Sequence, residues 1–220
     1  MNILSEAFFF PLRNSSLKVY FGLCGLLVLQ YGIALLPIIS LLNIAFFGYV
    51  YATQFKIIFT TGNGYADAPN FPEFNDAWGS MLVPLLKMAG VWIIAFIPCI
   101  LVIWLLNSSN EMLYWAMVVV ALTYIPIGLM IVAMDSFEKA LNPILVVQSI
   151  RKIGIMYLTI VITLLILRVV LDYIDEAFTG SWVISSLFGA YGIMFTGRLI
   201  GSAYREYLSN EIFDSNIREM

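Results

Sequence analysis

Apolar residues in this chain run in long blocks, and the polar residues collect between them. The first block, residues 19–59, is too long for one bilayer span of about 20 residues. Pro37 lies near its middle and cannot donate a helical hydrogen bond, so the block divides into spans over 19–36 and 39–59. One long kinked helix is the alternative. The longest polar interruption follows at residues 60–79, with Gly62-Asn63-Gly64 as a flexible turn. Four later blocks predict spans over 88–106, 113–134, 154–173 and 182–204. Pro98 and Pro126 fall inside two of these, where lipid-embedded helices tolerate a kink if neighbours satisfy the freed carbonyl.

Three shorter stretches have a different rhythm. In 74–87, Trp78, Met81, Leu82, Leu85 and Leu86 recur at helical spacing among Asp76, Ser80 and Lys87. In 135–152, Asn142 reads as a helix cap with Pro143 at the first helical position. Ile144, Val147, Ile150 and Ile153 then share one face, apart from Gln148, Arg151 and Lys152. Residues 4–13 read as a short helix or turn at the inner interface, with Phe8, Phe9 and Phe10 in the acyl boundary. The pattern therefore predicts one integral membrane domain over residues 1–220. It is an all-α polytopic helical bundle of about six transmembrane helices with two cytoplasmic interfacial amphipathic helices.

Composition strengthens this reading. The chain is 61% hydrophobic and 11% charged, with a mean hydropathy of +0.93. A soluble domain carries about 25% charged residues, so the solvent here is lipid. The net charge of −3 and the lack of a basic patch exclude nucleic acid as an expected partner. Histidine is absent, and Cys24 and Cys99 both sit in apolar runs, so neither a metal site nor a disulfide framework is expected. No cofactor is implied.

Charge also orients the bundle. With six spans, Arg13, Lys18, Lys56, Lys87, Lys139, Arg151, Lys152, Arg198, Arg205 and Arg218 fall on one side, and Arg168 alone of the eleven basic residues falls on the other. The positive-inside rule then makes both termini cytoplasmic. A five-span arrangement moves Arg13 and Lys18 to the outer side and weakens the asymmetry. Trp104, Tyr114, Trp115, Tyr173 and Trp182 would form the outer aromatic belt.

Short motifs carry a resemblance. Gly48-Tyr49, Pro72-Glu73-Phe74 and Trp78, then Ala140-Leu141-Asn142-Pro143 with Tyr157, and finally Gly197-Arg198-Leu199-Ile200-Gly201 with Tyr204-Arg205, span roughly residues 45–205. Together they resemble a family of prokaryotic multi-pass membrane proteins of unknown function. They are also similar to the membrane domain attached to some glycerophosphodiester phosphodiesterases. The resemblance implies a six-span helical domain in a bacterial or archaeal cytoplasmic membrane, with no catalytic residues to carry over.

A few residues stand out as candidates. Arg198 lies 16 residues beyond Trp182, about 24 Å across a hydrocarbon core of about 30 Å. Charge at that depth needs a partner or must snorkel; snorkelling to the inner headgroups is the first reading, and an ion pair with Asp135 is the alternative. Gly197 and Gly201 form a small-xxx-small pattern, read as close packing within the monomer, with homo-oligomerisation as the alternative. Arg168 and Asp172, four apart, predict a local ion pair.

In the long loop, Tyr65, Phe71, Glu73, Phe74 and Trp78 are the partner-contact candidates, because exposed aromatics on a structured loop mark contacts. With no nucleophile–base setting, the expected function is a non-catalytic membrane subunit or scaffold. It would contact a partner protein or the inner leaflet through its cytoplasmic loop and amphipathic segments. The alternative is a transporter or permease subunit, for which Gln30, Asn43, Thr123 and Thr163 are the scarce mid-bilayer polar residues.

Overall fold

The computed structural model describes residues 3–34, 40–73, 78–106, 111–178 and 181–208. Every regular element among them is helical. A short helix α1 (Ile3–Phe9) runs into a 3-10 turn at Phe10–Leu12. The long helices are α2 (Leu17–Ala34), α3 (Ser40–Gly62), α4 (Val83–Leu106) and α5 (Glu111–Met134). A π-helical turn at Trp78–Leu82 leads into α4. Two short helices, α6 (Phe137–Ala140) and α7 (Pro143–Ile153), precede the last long pair, α8 (Ile155–Ala177) and α9 (Trp182–Tyr207).

Among the described residues, three helical stretches are long and apolar enough to cross a membrane: Gly79–Val102, Ile155–Ala177 and Trp182–Tyr207. Leu17–Tyr31 and Leu122–Met134 are shorter apolar stretches. Helices α2 and α3 pack on each other as separate elements, which is the hairpin arrangement and not one kinked helix. Residues 35–39, with Pro37, lie outside the described residues.

Local chemistry explains the boundaries. The Asn142 side chain accepts from the backbone N–H groups of Ile144, at 3.0 Å, and Leu145, at 3.4 Å, so α7 begins as a capped helix with Pro143 in its first turn. Gly154 separates α7 from α8 with φ +62° and ψ −135°, a conformation that side chains with a Cβ rarely adopt. That single residue turns the chain from the end layer into the long α8. Pro126 sits inside α5, and next to the carbonyl it leaves without a donor, the Tyr157 hydroxyl of α8 donates to the Thr123 carbonyl.

Helix α9 is the central pillar. It packs against α1, α2, α3, α5 and α8, and Gly197, Gly201, Ser202 and Ala203 in its C-terminal half are small enough to let neighbours close in. A Cβ added at Gly201 would sit 2.6 Å from the Ile58 carbonyl oxygen, and one at Gly197 would sit 2.9 Å from Ile57 Cγ2. These two glycines let the α3 backbone approach directly. Gly189 faces Leu27 on α2 and Gly192 faces Leu171 on α8. The glycine face is therefore filled by neighbours in the same chain. Gly62, Met134 and Tyr204 meet at the ends of α3, α5 and α9, so these three helices finish at the same end of the bundle.

Candidate functional site

At that end an ion pair closes the bundle. Arg198 is 1% exposed, among the largest fully buried side chains. Its Nη1 donates to Thr61 Oγ1 at 3.2 Å and to the Tyr65 carbonyl at 2.7 Å. Its Nη2 donates to Glu6 Oε1, and its guanidinium carbon lies 4.8 Å from the Phe10 ring centroid. Arg205, seven residues further along α9, reaches Glu6 Oε2 at 3.5 Å. Two helical turns place both cations on one face of α9, and α1 lays its only carboxylate between them.

The sequence expectation for Arg198 is thus corrected. Its partner is Glu6, and Asp135 pairs instead with Lys139, four residues on, at 2.5 Å. Asp135 follows the last residue of α5, where the chain turns into α6 and brings Lys139 within one helical turn. Glu6 reaches Arg198 because α1 folds back onto α9 and buries Ile3, Ala7 and Phe10 there. That i, i+4, i+7 face was legible in residues 3–10, with Glu6 flanking it and Phe8 and Phe9 pointing away. The run of phenylalanines drew attention to the wrong face.

Burial by itself would raise the pKa of Glu6. The Arg198 hydrogen bond and the nearby charges of Arg198, Arg205 and Arg13 outweigh it and hold the carboxyl below its ordinary value. Glu6 is therefore ionised wherever the bundle is folded near neutral pH, as a buried guanidinium requires.

The long loop is held to the same end. Arg13 Nη1 donates to the Ala66 carbonyl at 3.4 Å, Lys56 Nζ to that of Phe71 at 3.2 Å, and Tyr49 Oη to that of Pro72 at 2.7 Å. The Phe71 ring stacks on Tyr49 with centroids 6.1 Å apart and fills the space beside Gly22, where a Cβ would meet it at 2.3 Å. Gly64, at φ +88°, ends α3 where the loop begins. The predicted flexible turn is a fitted helix end, with Asn63 N–H bonded to Phe59 and Gly64 N–H to Thr61.

The partner-contact residues consequently divide. Phe71 is spent on internal packing, so its exposure is not the signal expected of it. Tyr65 is 65% exposed although its carbonyl is bound by Arg198. Glu73 stands at the surface and has interactions of its own. Phe74 lies outside the described residues, as does the side chain of Trp78. The loop from Tyr65 to Asn70, with Thr60, lines a shallow concavity. Tyr49 and Pro72, 23 residues apart in sequence, are joined by a side-chain hydrogen bond.

The other candidates fall elsewhere. Arg168 and Asp172 pair at 2.7 Å, at a surface far along α8 from Gly154, as their spacing predicts. Gln30 Oε1 and Asn43 Oδ1 are buried without a partner near the opposite end of the α2–α3 hairpin, while Thr163 bonds the Thr159 carbonyl of its own helix. These residues do not converge on one polar cavity. Among the described residues no group of three or more His, Cys, Asp or Glu could hold a metal ion. Comparison with protein-family models, with curated proteins and with solved structures finds no match.

Proposed function

We propose that this chain is a six-span protein of a cytoplasmic membrane, with both termini inside, acting as a non-catalytic membrane subunit or scaffold. Its working part is the layer at the cytoplasmic end: α1, the 63–73 loop and the α6–α7 segment. The observation that carries this reading is that the layer is fixed in place yet leaves apolar surface uncovered. Arg198, Lys56, Tyr49 and Arg13 hold α1 and the loop, and the Tyr191 hydroxyl donates to the Phe8 carbonyl at 2.7 Å. Phe8, Phe9, Leu12, Leu141, Ile144 and Val147 nonetheless remain exposed.

A rigid layer with outward apolar side chains and neighbouring Arg151 and Lys152 is suited to rest in the headgroup region of the inner leaflet. The Tyr65–Asn70 concavity is then the part left to face a partner protein. Support for six spans comes from the six long helices of 18 to 26 residues, from the shared end of α3, α5 and α9, and from the charge asymmetry. This is also the architecture that the family resemblance implies.

The test is a depth measurement on the reconstituted protein. Nitroxides at Ile144→Cys and Val147→Cys should be relaxed mainly by oxygen, and those at Gln148→Cys and Arg151→Cys by a water-soluble nickel complex. Equal access of the nickel complex to all four positions would defeat the leaflet-resting reading.

A further inference from the structure

Helix α8 stands off from the bundle and leaves an apolar space on each side of it. One, about 630 Å³, lies beside α1, α2 and α9, and includes Tyr20, Thr163 and Tyr191 among its lining. Each of those hydroxyls is satisfied: Tyr20 by the Leu187 carbonyl, Thr163 by Thr159 and Tyr191 by Phe8. That space offers hydrocarbon surface and nothing more.

The other space differs. It is a slot of about 350 Å³ between α3, α4, α5, α8 and α9, within the range of about 300–1,000 Å³ typical of ligand sites. Along α9 it extends from Gly189 to Ile200, about 16 Å at 1.5 Å per residue. It is thus a channel-shaped space lying along the helices. Gly189 and Gly192 help open it, since any side chain at Gly192 would press on Leu171.

Two polar side chains face this slot. Gln54 on α3 is 7% exposed, and Thr196 on α9 is partly buried. Neither side chain has a hydrogen-bond partner among the described residues, whereas Thr53, next to Gln54 on α3, bonds the Tyr49 carbonyl. Neither Gln54 nor Thr196 is sealed in the core: both line the slot, so a polar group of an occupant can supply their hydrogen bonds. Among the described residues, Arg168 is the only charged one on the wall, and it pairs with Asp172. The slot thus presents apolar length, two unmatched hydrogen-bonding groups and no free charge.

We propose that this slot binds an uncharged single-chain amphiphile. Its hydroxyl or carbonyl head would meet Gln54 and Thr196, and its hydrocarbon chain would fill the space along α8 and α9. An anionic head would have to displace Asp172 from Arg168, the cation on the wall, and a molecule without a polar head would leave Gln54 and Thr196 unmatched. The bilayer that the six-span reading places around the bundle is the natural source of such a ligand.

Photolabelling tests this. The full chain, in nanodiscs of phosphatidylethanolamine and phosphatidylglycerol, is irradiated with a monoacylglycerol carrying a diazirine in its chain, and labelled peptides are mapped. Saturable labelling of α5, α8 and α9 residues lining the slot is expected, with unlabelled monoolein competing and oleate competing at least tenfold less well. Gly192→Leu should abolish slot labelling by filling it. The near-isosteric pair Gln54→Leu and Thr196→Val should weaken it about tenfold while leaving the thermal midpoint no lower than wild type, because no intramolecular hydrogen bond is lost. Labelling spread evenly over the outer face of α8 and unmoved by these substitutions would overturn the proposal. So would oleate competing as well as monoolein, or a high-resolution structure with only water between Gln54 and Thr196. Such results would leave the helix topology, read separately by side-specific labelling, unaffected.

Discussion

Replacing Glu6 by Gln keeps the size of the side chain and removes its charge, leaving Arg198 buried at 1% exposure without its counter-ion. Removing one partner of a buried ion pair costs about 3–5 kcal/mol. Here the remaining bonds to Thr61 and Tyr65, and the 13% exposure of Glu6, place the effect near the lower end, about 3 kcal/mol. For a chain of this size that is a fall of roughly 6–12 °C in thermal midpoint. The assay is heating in detergent with a thiol-reactive dye that reports Cys24, which is buried and free in the folded bundle.

Acid should reproduce the substitution. Glu6 has a folded-state pKa below its ordinary 4.5, so its stabilisation is complete above that ordinary value and is lost as pH falls through the lower folded value. The wild type should lose midpoint below about pH 4.5 more steeply than Glu6→Gln. The double variant Glu6→Gln with Arg198→Gln should recover part of the loss, because no uncompensated charge remains. A Glu6→Gln midpoint within 1–2 °C of wild type, or an Asp135→Asn variant that falls as far, would refute the reasoning.

Gly201→Ala places a Cβ against the Ile58 carbonyl and should destabilise by about 3 kcal/mol or prevent accumulation of a monodisperse protein on size exclusion, since a backbone carbonyl cannot step aside. Arg168→Gln removes an ion pair whose side chains are 74% and 53% exposed, and should shift stability by less than about 1 kcal/mol in the same thermal assay. Tyr49→Phe removes the hydroxyl that holds the Pro72 carbonyl. It should cost about 1 kcal/mol and speed limited proteolysis within residues 63–73, while leaving cleavage after the α8 end unchanged.

Much of the helix pattern was legible because it rests on local signals. Residues 154–173 and 182–204 were expected as spans, and the helices run Ile155–Ala177 and Trp182–Tyr207. The Asn142-Pro143 start of α7 was equally readable, since capping involves residues three apart in sequence. The site was less legible. Arg198 was singled out by its depth alone, but Glu6 is 192 residues away, and no periodicity announces which of fourteen acids will reach it. Phe71 likewise looked like an exposed contact because the gap beside Gly22 that receives it exists only once α2 and α3 have packed. The unmatched amide of Gln54 is a property of the assembled slot, invisible in a run of apolar residues.

The placement of the chain in a membrane is tested most directly by side-specific cysteine labelling. With Cys24 and Cys99 replaced, single cysteines at Asn14, Glu206 and Asp175, all exposed positions, are treated with a membrane-impermeant maleimide from outside intact cells and then from inside-out vesicles. Asn14→Cys and Glu206→Cys should react only in the vesicles, and Asp175→Cys only in the cells. Reaction of Asn14→Cys and Glu206→Cys from opposite sides would contradict a six-span bundle with both ends in the cytoplasm.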